Sequence, residues 1–141
     1  MLSKRKIATI CAGSRREEKS IFADMLLILP DAASVRKLHP DQEKIKKLDG
    51  LLTAVTAPSD HEGYDCVSRV FVPKLNISED PVTGSTHCMI TPYWCSQLGK
   101  KELVCFQVSE RTGILYTGIR RNRVKVAGKA VLYSEGRLLE G

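Results

Sequence analysis

With 141 residues the chain is sized for one domain, and such a domain buries roughly two-thirds of its unfolded surface. Hydrophobic residues at 43% and charged residues at 27% fit a soluble globular protein and exclude a mainly disordered chain. The formal net charge of +6 is spread among acidic residues with no aromatic platform, so a nucleic-acid partner is not expected. Apolar runs such as Met25 to Leu29 are too short to span a bilayer, so no membrane partner is expected either.

The basic start at Lys4, Arg5 and Lys6 lacks the apolar stretch of a signal peptide, because Arg15, Arg16, Glu17 and Glu18 follow soon after. A cytoplasmic location is the expectation. The five cysteines are Cys11, Cys66, Cys88, Cys95 and Cys105. Their number is odd, no CxxC occurs, and four lie in apolar stretches. Free, buried thiols in a reducing compartment fit this pattern. Adjacent His87 and Cys88 cannot both face one ion from a regular helix, so no metal site is expected.

Residues 1 to 19 carry a short apolar patch, Ile7 to Ala12, and then mixed charge. They read as a frayed strand and tail, or as the remnant of something longer. Phe22 to Leu29 reads as a buried strand ended by Pro30. Asp31 caps a short helix with Ala33, Val35 and Leu38 inward. Pro40-Asp41 opens a second, with Ile45 and Leu48 on one face, and Gly50 closes it. Leu51 to Ala57 and Asp65 to Val72 read as strands, the second with Arg69 among apolar neighbours, where a surface or rim role is the ordinary one. Pro73 to Asp80 reads as a connection.

A helix is expected from about Thr83 to Leu98, closed by Gly99. It is apolar most of the way round and so expected to be buried, with a kink or break at Pro92. Leu103 to Ser109, Ile114 to Ile119, Val124 to Val126 and Ala130 to Tyr133 read as an antiparallel meander of strands. Strands, a buried helix and more strands give an α+β domain whose sheet curls around one central helix.

The chemistry concentrates in Glu79-Asp80-Pro81-Val82-Thr83-Gly84-Ser85-Thr86-His87-Cys88. Asp80 and Thr83 are candidate N-caps, Pro81 suits a first helical turn, and Gly84 lets a ligand approach the backbone. Free N–H groups at such a helix start attract anions, a substrate carboxylate among them. Asp80 alternatively only caps the helix. His87 reads as a packed histidine and Cys88 as a small core residue. Tyr93 and Trp94 read as core.

That run, with Tyr64-Asp65-Cys66-Val67-Ser68-Arg69-Val70-Phe71-Val72-Pro73 before it, closely resembles the phenazine-biosynthesis-like (PhzF-like) isomerase family. Thr91-Pro92-Tyr93-Trp94, Leu98-Gly99-Lys100, Gln107-Val108-Ser109 with Arg111 and Gly113, and Val126 with Gly128-Lys129-Ala130-Val131 follow in family order. The resemblance covers residues 20–141 and makes Pro92 a family feature. It implies a diaminopimelate-epimerase-like fold, in which two α+β domains each wrap strands around a central helix and substrate binds between them. This chain is similar to the C-terminal domain alone. The family's proton-shuttling glutamate lies in a Ser-Glu-Thr segment of the first domain, beside a Gly-His-Pro segment, and neither occurs here.

By resemblance, Asp80 is the catalytic candidate that helps position substrate near that glutamate, and Gly84 and Ser85 contact the substrate carboxylate with it. No cofactor and no metal are implied. Related cysteine racemases carry a thiol at the start of this helix, where Asp80 stands here, so thiol-based racemisation is disfavoured. The expected function is that of a C-terminal half of a PhzF-like isomerase, moving a proton by acid/base chemistry on a small carboxylated substrate. The expected partners are that substrate and an N-terminal domain or a second copy of the chain. The alternatives are a non-catalytic binding or self-association module, and an inactive truncated gene product.

Overall fold

A computed structural model describes residues 7–8 and 25–137 of the chain. Its strands are β1 (Ile7–Ala8), β2 (Met25–Ile28), β3 (Thr53–Pro58), β4 (Cys66–Val72), β5 (Ile77–Asp80), β6 (Glu102–Gln107), β7 (Gly113–Arg120) and β8 (Arg123–Ala127). Its helices are α1 (Ala32–Arg36), α2 (Gln42–Lys46) and α3 (His87–Leu98). Seven strands pair in the order β1-β2-β3-β4-β6-β7-β8, and β5 pairs with β4 beside that path. The expected α+β class holds. The β6-β7-β8 part is the expected antiparallel meander, while β2-β3 and β4-β6 are parallel, so the sheet is mixed.

Local chemistry explains the short helices. Asp31 accepts from the Ser34 amide at 2.6 Å and Asp41 from the amides of Glu43 and Lys44, so each aspartate caps one helix turn. Ala32 and Val35 face inward on α1, whereas Ala33, expected inward, is exposed. The phase differs by one residue because the cap at Asp31 puts Ala32 in the first helical position. Leu48 lies beyond the end of α2 and is exposed.

β4 is covered on both faces. Cys66, Val70 and Val72 pack with Met89, Ile90 and Trp94 of α3. Val67 and Phe71, pointing the other way, pack with Ala32 and Val35 of α1. A strand covered on both sides reads as a nearly continuous apolar run, and this one does. Trp94 reaches across the first layer, its indole Nε1 donating to Thr56 Oγ1 at 2.9 Å, and Thr56 Oγ1 donates on to the Val67 carbonyl at 2.7 Å.

α3 differs from expectation at its start. Residues 84–86 form a turn, and the regular helix begins at His87 with Thr86 as N-cap. Asp80 is the last residue of β5, so neither it nor Thr83 caps the helix, and Pro81 lies outside it. Pro92 is accommodated inside one continuous helix. Gly99 ends it as expected, at φ 65°, with the Lys100 amide bonded to the Cys95 carbonyl at 3.1 Å.

Two further expectations change. Pro73 to Asp80 holds a 3-10 turn over Pro73–Leu75 and the strand β5. Ala130 to Tyr133 is not a strand; Val131, Leu132 and Tyr133 are exposed, because no sheet edge lies against them among the described residues. Of the patch from Ile7 to Ala12, only β1 is described, paired antiparallel with β2. Cys11 and Phe22 to Asp24 lie outside the described residues. No helix among the described residues is long and apolar enough to cross a membrane.

Candidate functional site

The candidate site is the segment between β5 and α3, and its anchor is Thr83. Thr83 is buried, and every polar group it owns is bonded. Its amide donates to Gln107 Oε1 at 2.8 Å. Its hydroxyl donates to Asp80 Oδ2 and accepts from Gln107 Nε2 at 3.3 Å. Its carbonyl accepts from the Thr86 hydroxyl at 3.0 Å and from His87 Nδ1 at 2.8 Å. A carbonyl can only accept, so His87 carries its proton on Nδ1. The expected packed role of His87 holds, since the ring is buried.

Two more residues from the β6-β7 hairpin hold the segment. Gln107 Nε2 also donates to the Asp80 carbonyl at 2.7 Å, and Ser109 Oγ donates to the Pro81 carbonyl. Gly113 lies under Val82, where an added Cβ would collide with Val82 Cγ2. The hairpin thus grips Asp80, Pro81, Val82 and Thr83 in turn.

What this grip leaves free is the backbone that follows. The carbonyls of Gly84, Ser85 and Thr86 accept the first amides of the helical turns, from His87, Cys88, and Met89 with Ile90. The amides of Gly84, Ser85 and Thr86 have no protein acceptor among the described residues. Gly84 is half-buried and Ser85 exposed, so their amides are reachable, whereas Thr86 is fully buried. Asp80 is half-buried, with Oδ2 held by Thr83 and no donor on Oδ1 among the described residues. Asp80, Gly84 and Ser85 therefore occur in one short stretch, a bare set of donors beside an acceptor-only carboxylate.

Arg69 is not the rim residue expected. Its Nε and Nη2 fork onto Glu79 at 2.8 and 2.7 Å, and its Nη1 donates to the carbonyls of Val35, Arg36 and Leu38 at the end of α1. The carboxylate of Glu79 holds the guanidinium above its ordinary pKa. This ion pair ties β4 to the residue before Asp80.

The thiols lie beneath. Cys66 and Cys105 are in-register neighbours on β4 and β6, both fully buried. Donating toward Cys105, together with burial, pushes the Cys66 thiol up. Burial also pushes Cys95 up. Cys88 is only half-buried. No group of three His, Cys, Asp or Glu able to hold a metal ion occurs among the described residues.

Gln107, Ser109 and Gly113 entered the sequence reading only as markers of family order. Gln107 did carry a signal: it falls on the buried phase of β6 with Leu103 and Cys105. A buried carboxamide must be hydrogen-bonded, so it had to hold something.

The phenazine biosynthesis-like protein family (PhzC-PhzF) matches residues 17–136. The chain belongs to that family. Among curated relatives, a protein named an uncharacterized isomerase from Pseudomonas aeruginosa is 42% identical over 115 residues, covering 82% of this chain and 44% of its own length. Another so named, from Halalkalibacterium halodurans, is 35% identical over 116 residues with the same coverage. Among solved structures, a phenazine biosynthesis PhzC/PhzF protein from Clostridium difficile superposes with a TM-score of 0.72 at 41% identity, covering 82% of this chain and 44% of that one. A PhzF-family protein from Enterococcus faecalis gives 0.68 at 42% identity, covering 77% and 45%. This member of the PhzF family spans less than half the length of these relatives.

Proposed function

We propose that the chain is the C-terminal half of a PhzF-like isomerase and that the start of α3 grips the carboxylate of a small substrate. The observation that carries this reading is the pair of reachable amides at Gly84 and Ser85, which have no protein acceptor among the described residues. They stand at the positive end of a helix, where an anion gains ~0.3–2 kcal/mol from the dipole besides charge-assisted hydrogen bonds. Glycine at 84 supports it. Its φ is not in the left-handed region, and an added Cβ would meet only Val126 Cγ1 at 3.9 Å, an ordinary contact. Neither backbone nor packing calls for glycine there, whereas a ligand approaching the chain does.

In this reading Asp80 orients a hydrogen-bond donor of the substrate through its free Oδ1. The reaction is an isomerisation: a base takes a proton from one carbon and a proton returns to another, so nothing is gained or lost. The base is a glutamate of an N-terminal domain, the partner that completes a diaminopimelate-epimerase-like pair of domains with this sheet curled around α3. The names of the two bacterial relatives support the reaction class.

The test mixes the chain with the N-terminal half of the Pseudomonas aeruginosa relative in deuterated water and follows deuterium uptake into a panel of small carboxylates by mass spectrometry. Uptake is expected in the mixture and not with the chain alone. A mixture of two folded parts that exchanges nothing counts against the reading.

A second reading, self-association without catalysis, is favoured by the exposure of Val131, Leu132 and Tyr133 at 93%, 81% and 98%. Light scattering across a concentration series decides it: mass must rise with concentration, and a clean monomer throughout ends that reading.

A further inference from the structure

We infer that Gln107 is the positioning residue of the anion site: its carboxamide aims the bare amides outward and, through the Thr83 hydroxyl, orients Asp80. The inference rests on the carboxylate-binding reading above. Gln107 is fully buried, and among the described residues its side chain bonds only groups of the candidate loop. Oε1 takes the Thr83 amide, and Nε2 takes the Asp80 carbonyl, so one rigid planar group clamps both ends of residues 80–83.

The clamp has a directional consequence. Nε2 can only donate, so where it meets Thr83 Oγ1 it occupies a lone pair of that hydroxyl. The hydroxyl hydrogen must then point away from Gln107, and it points at Asp80 Oδ2. A chain of donors runs from Nε2 through the Thr83 hydroxyl to the carboxylate, and it leaves Oδ1 as the open acceptor. The same clamp removes the Thr83 amide from the run of free donors. That run therefore begins at Gly84, next to the approach that the missing side chain leaves clear.

Ser109 and Gly113 secure the other side of the loop, Ser109 by its bond to the Pro81 carbonyl and Gly113 by lying against Val82. They hold the segment against the hairpin. Gln107 sets which way its polar groups face. A filler role and a positioning role for Gln107 are thus separable, because an apolar side chain of equal length keeps the volume and loses the direction.

The experiment uses isotope-labelled full chain and acetate as the carboxylate probe. Amide shifts of Gly84, Ser85 and Thr86 report binding, and the Asp80 side-chain carboxyl carbon reports its orientation. The wild type is expected to bind acetate with shifts confined to those three amides. Gln107→Met is expected to weaken binding by roughly tenfold, the size of one lost charge-assisted contact, and to move the Asp80 carboxyl resonance. Thr83→Val keeps the amide bond to Oε1 and removes only the hydroxyl link. It should move the Asp80 resonance as Gln107→Met does while retaining acetate affinity, and Thr83→Ser should restore the wild-type resonance.

Acetate bound equally by wild type and Gln107→Met overturns the positioning role and leaves the carboxylate site standing. A wild type that does not perturb the three amides at high acetate overturns the site, and the inference with it. Should Gln107→Met not fold, the Thr83 pair decides alone: an unmoved Asp80 resonance in Thr83→Val overturns the inference.

Discussion

Arg69→Met tests whether the Arg69–Glu79 fork is what fastens α1 and β5 to the middle of the sheet. The side chains are 14% and 19% exposed, so this pair is far closer to a buried ion pair than to a surface one. Exposed pairs contribute about 0–1 kcal/mol, while breaking a buried one costs about 3–5 kcal/mol, because the abandoned charge stays desolvated. Residual exposure at Glu79 lets some water in, which puts that part near 2–3 kcal/mol. The carbonyls of Val35 and Arg36 in α1 and of Leu38 just beyond it also lose a charged donor, but Arg36 is exposed and its carbonyl can turn to water, so about 1 kcal/mol more is expected. The total, about 3–4 kcal/mol, is a large share of the ~5–15 kcal/mol that holds a domain together. Urea unfolding reads it directly, since Trp94 is the single tryptophan and is buried at 4% exposure. Arg69→Met/Glu79→Leu should recover about 2 kcal/mol, because it removes the stranded carboxylate. A single variant costing under about 1 kcal/mol, or a double variant no more stable than the single, would falsify the reasoning.

Gly84→Ala should leave stability within about 1 kcal/mol of wild type, slightly above it if anything, because alanine restricts the unfolded chain and fits the native site. Acetate titration of the same variant should show weakened binding; unchanged binding would mean that the methyl does not stand in the ligand's path. Gly99→Ala should cost about 1 kcal/mol in the same urea melts, since φ 65° is a left-handed position closing α3. An effect near zero would show that the end of α3 relaxes without loss. The caps make a pH prediction. The Ser34 amide bonded to Asp31, and the Lys44 amide bonded to Asp41, hold both carboxyls below the ordinary 3.8. Groups with a depressed folded pKa contribute fully above the unfolded value and lose that contribution as pH falls through the folded one. The stability margin of wild type over Asp31→Asn/Asp41→Asn should therefore be constant at neutral pH and shrink below 3.8 in thermal melts. A margin independent of pH down to about 3 would rule out the caps as titrating contributors.

Local patterns were legible in the sequence where local physics decides. Asp31, Asp41 and Gly99 mark helix ends because caps and left-handed closures need those side chains on the spot. The largely apolar runs of β3 and β4 and the buried α3 were legible because burial on both sides leaves few polar residues to interrupt them, Thr53 and Thr56 in β3 and Ser68 and Arg69 in β4. Errors came where a distant partner overrides the local signal. Asp80 has the look of an N-cap, yet its Thr83 contact belongs to a loop held by Gln107 from another strand. The helix begins three residues after Gly84 for the same reason. Arg69 looked like a rim residue because nothing nearby in sequence announces α1 carbonyls arriving above it. Ala130 to Tyr133 has strand composition, but composition does not supply an edge to pair with.

The site's place follows from how the sheet divides. One edge of β4 is shared by two strands: β6 runs parallel along Cys66 to Ser68, and β5 runs antiparallel along Val70 to Val72. A parallel strand ending at Gln107 and an antiparallel strand ending at Asp80 bring their carboxyl ends to the middle of β4, opposite Ser68 and Val70. Past the Val108 amide, which donates to the Ser68 carbonyl at 2.8 Å, the chains leaving those ends make no further backbone bond to β4 among the described residues, and their polar groups bond each other. Gln107 bonding Asp80 and Thr83 is that solution, and it is why the loop is rigid just before the free amides begin. A split of this kind is the mixed-sheet counterpart of the crevice that forms where neighbouring strands diverge in open parallel sheets, a place where ligands bind. The amides of Gly84 and Ser85 open beside it because the Thr83 amide next to them has already been used to close it.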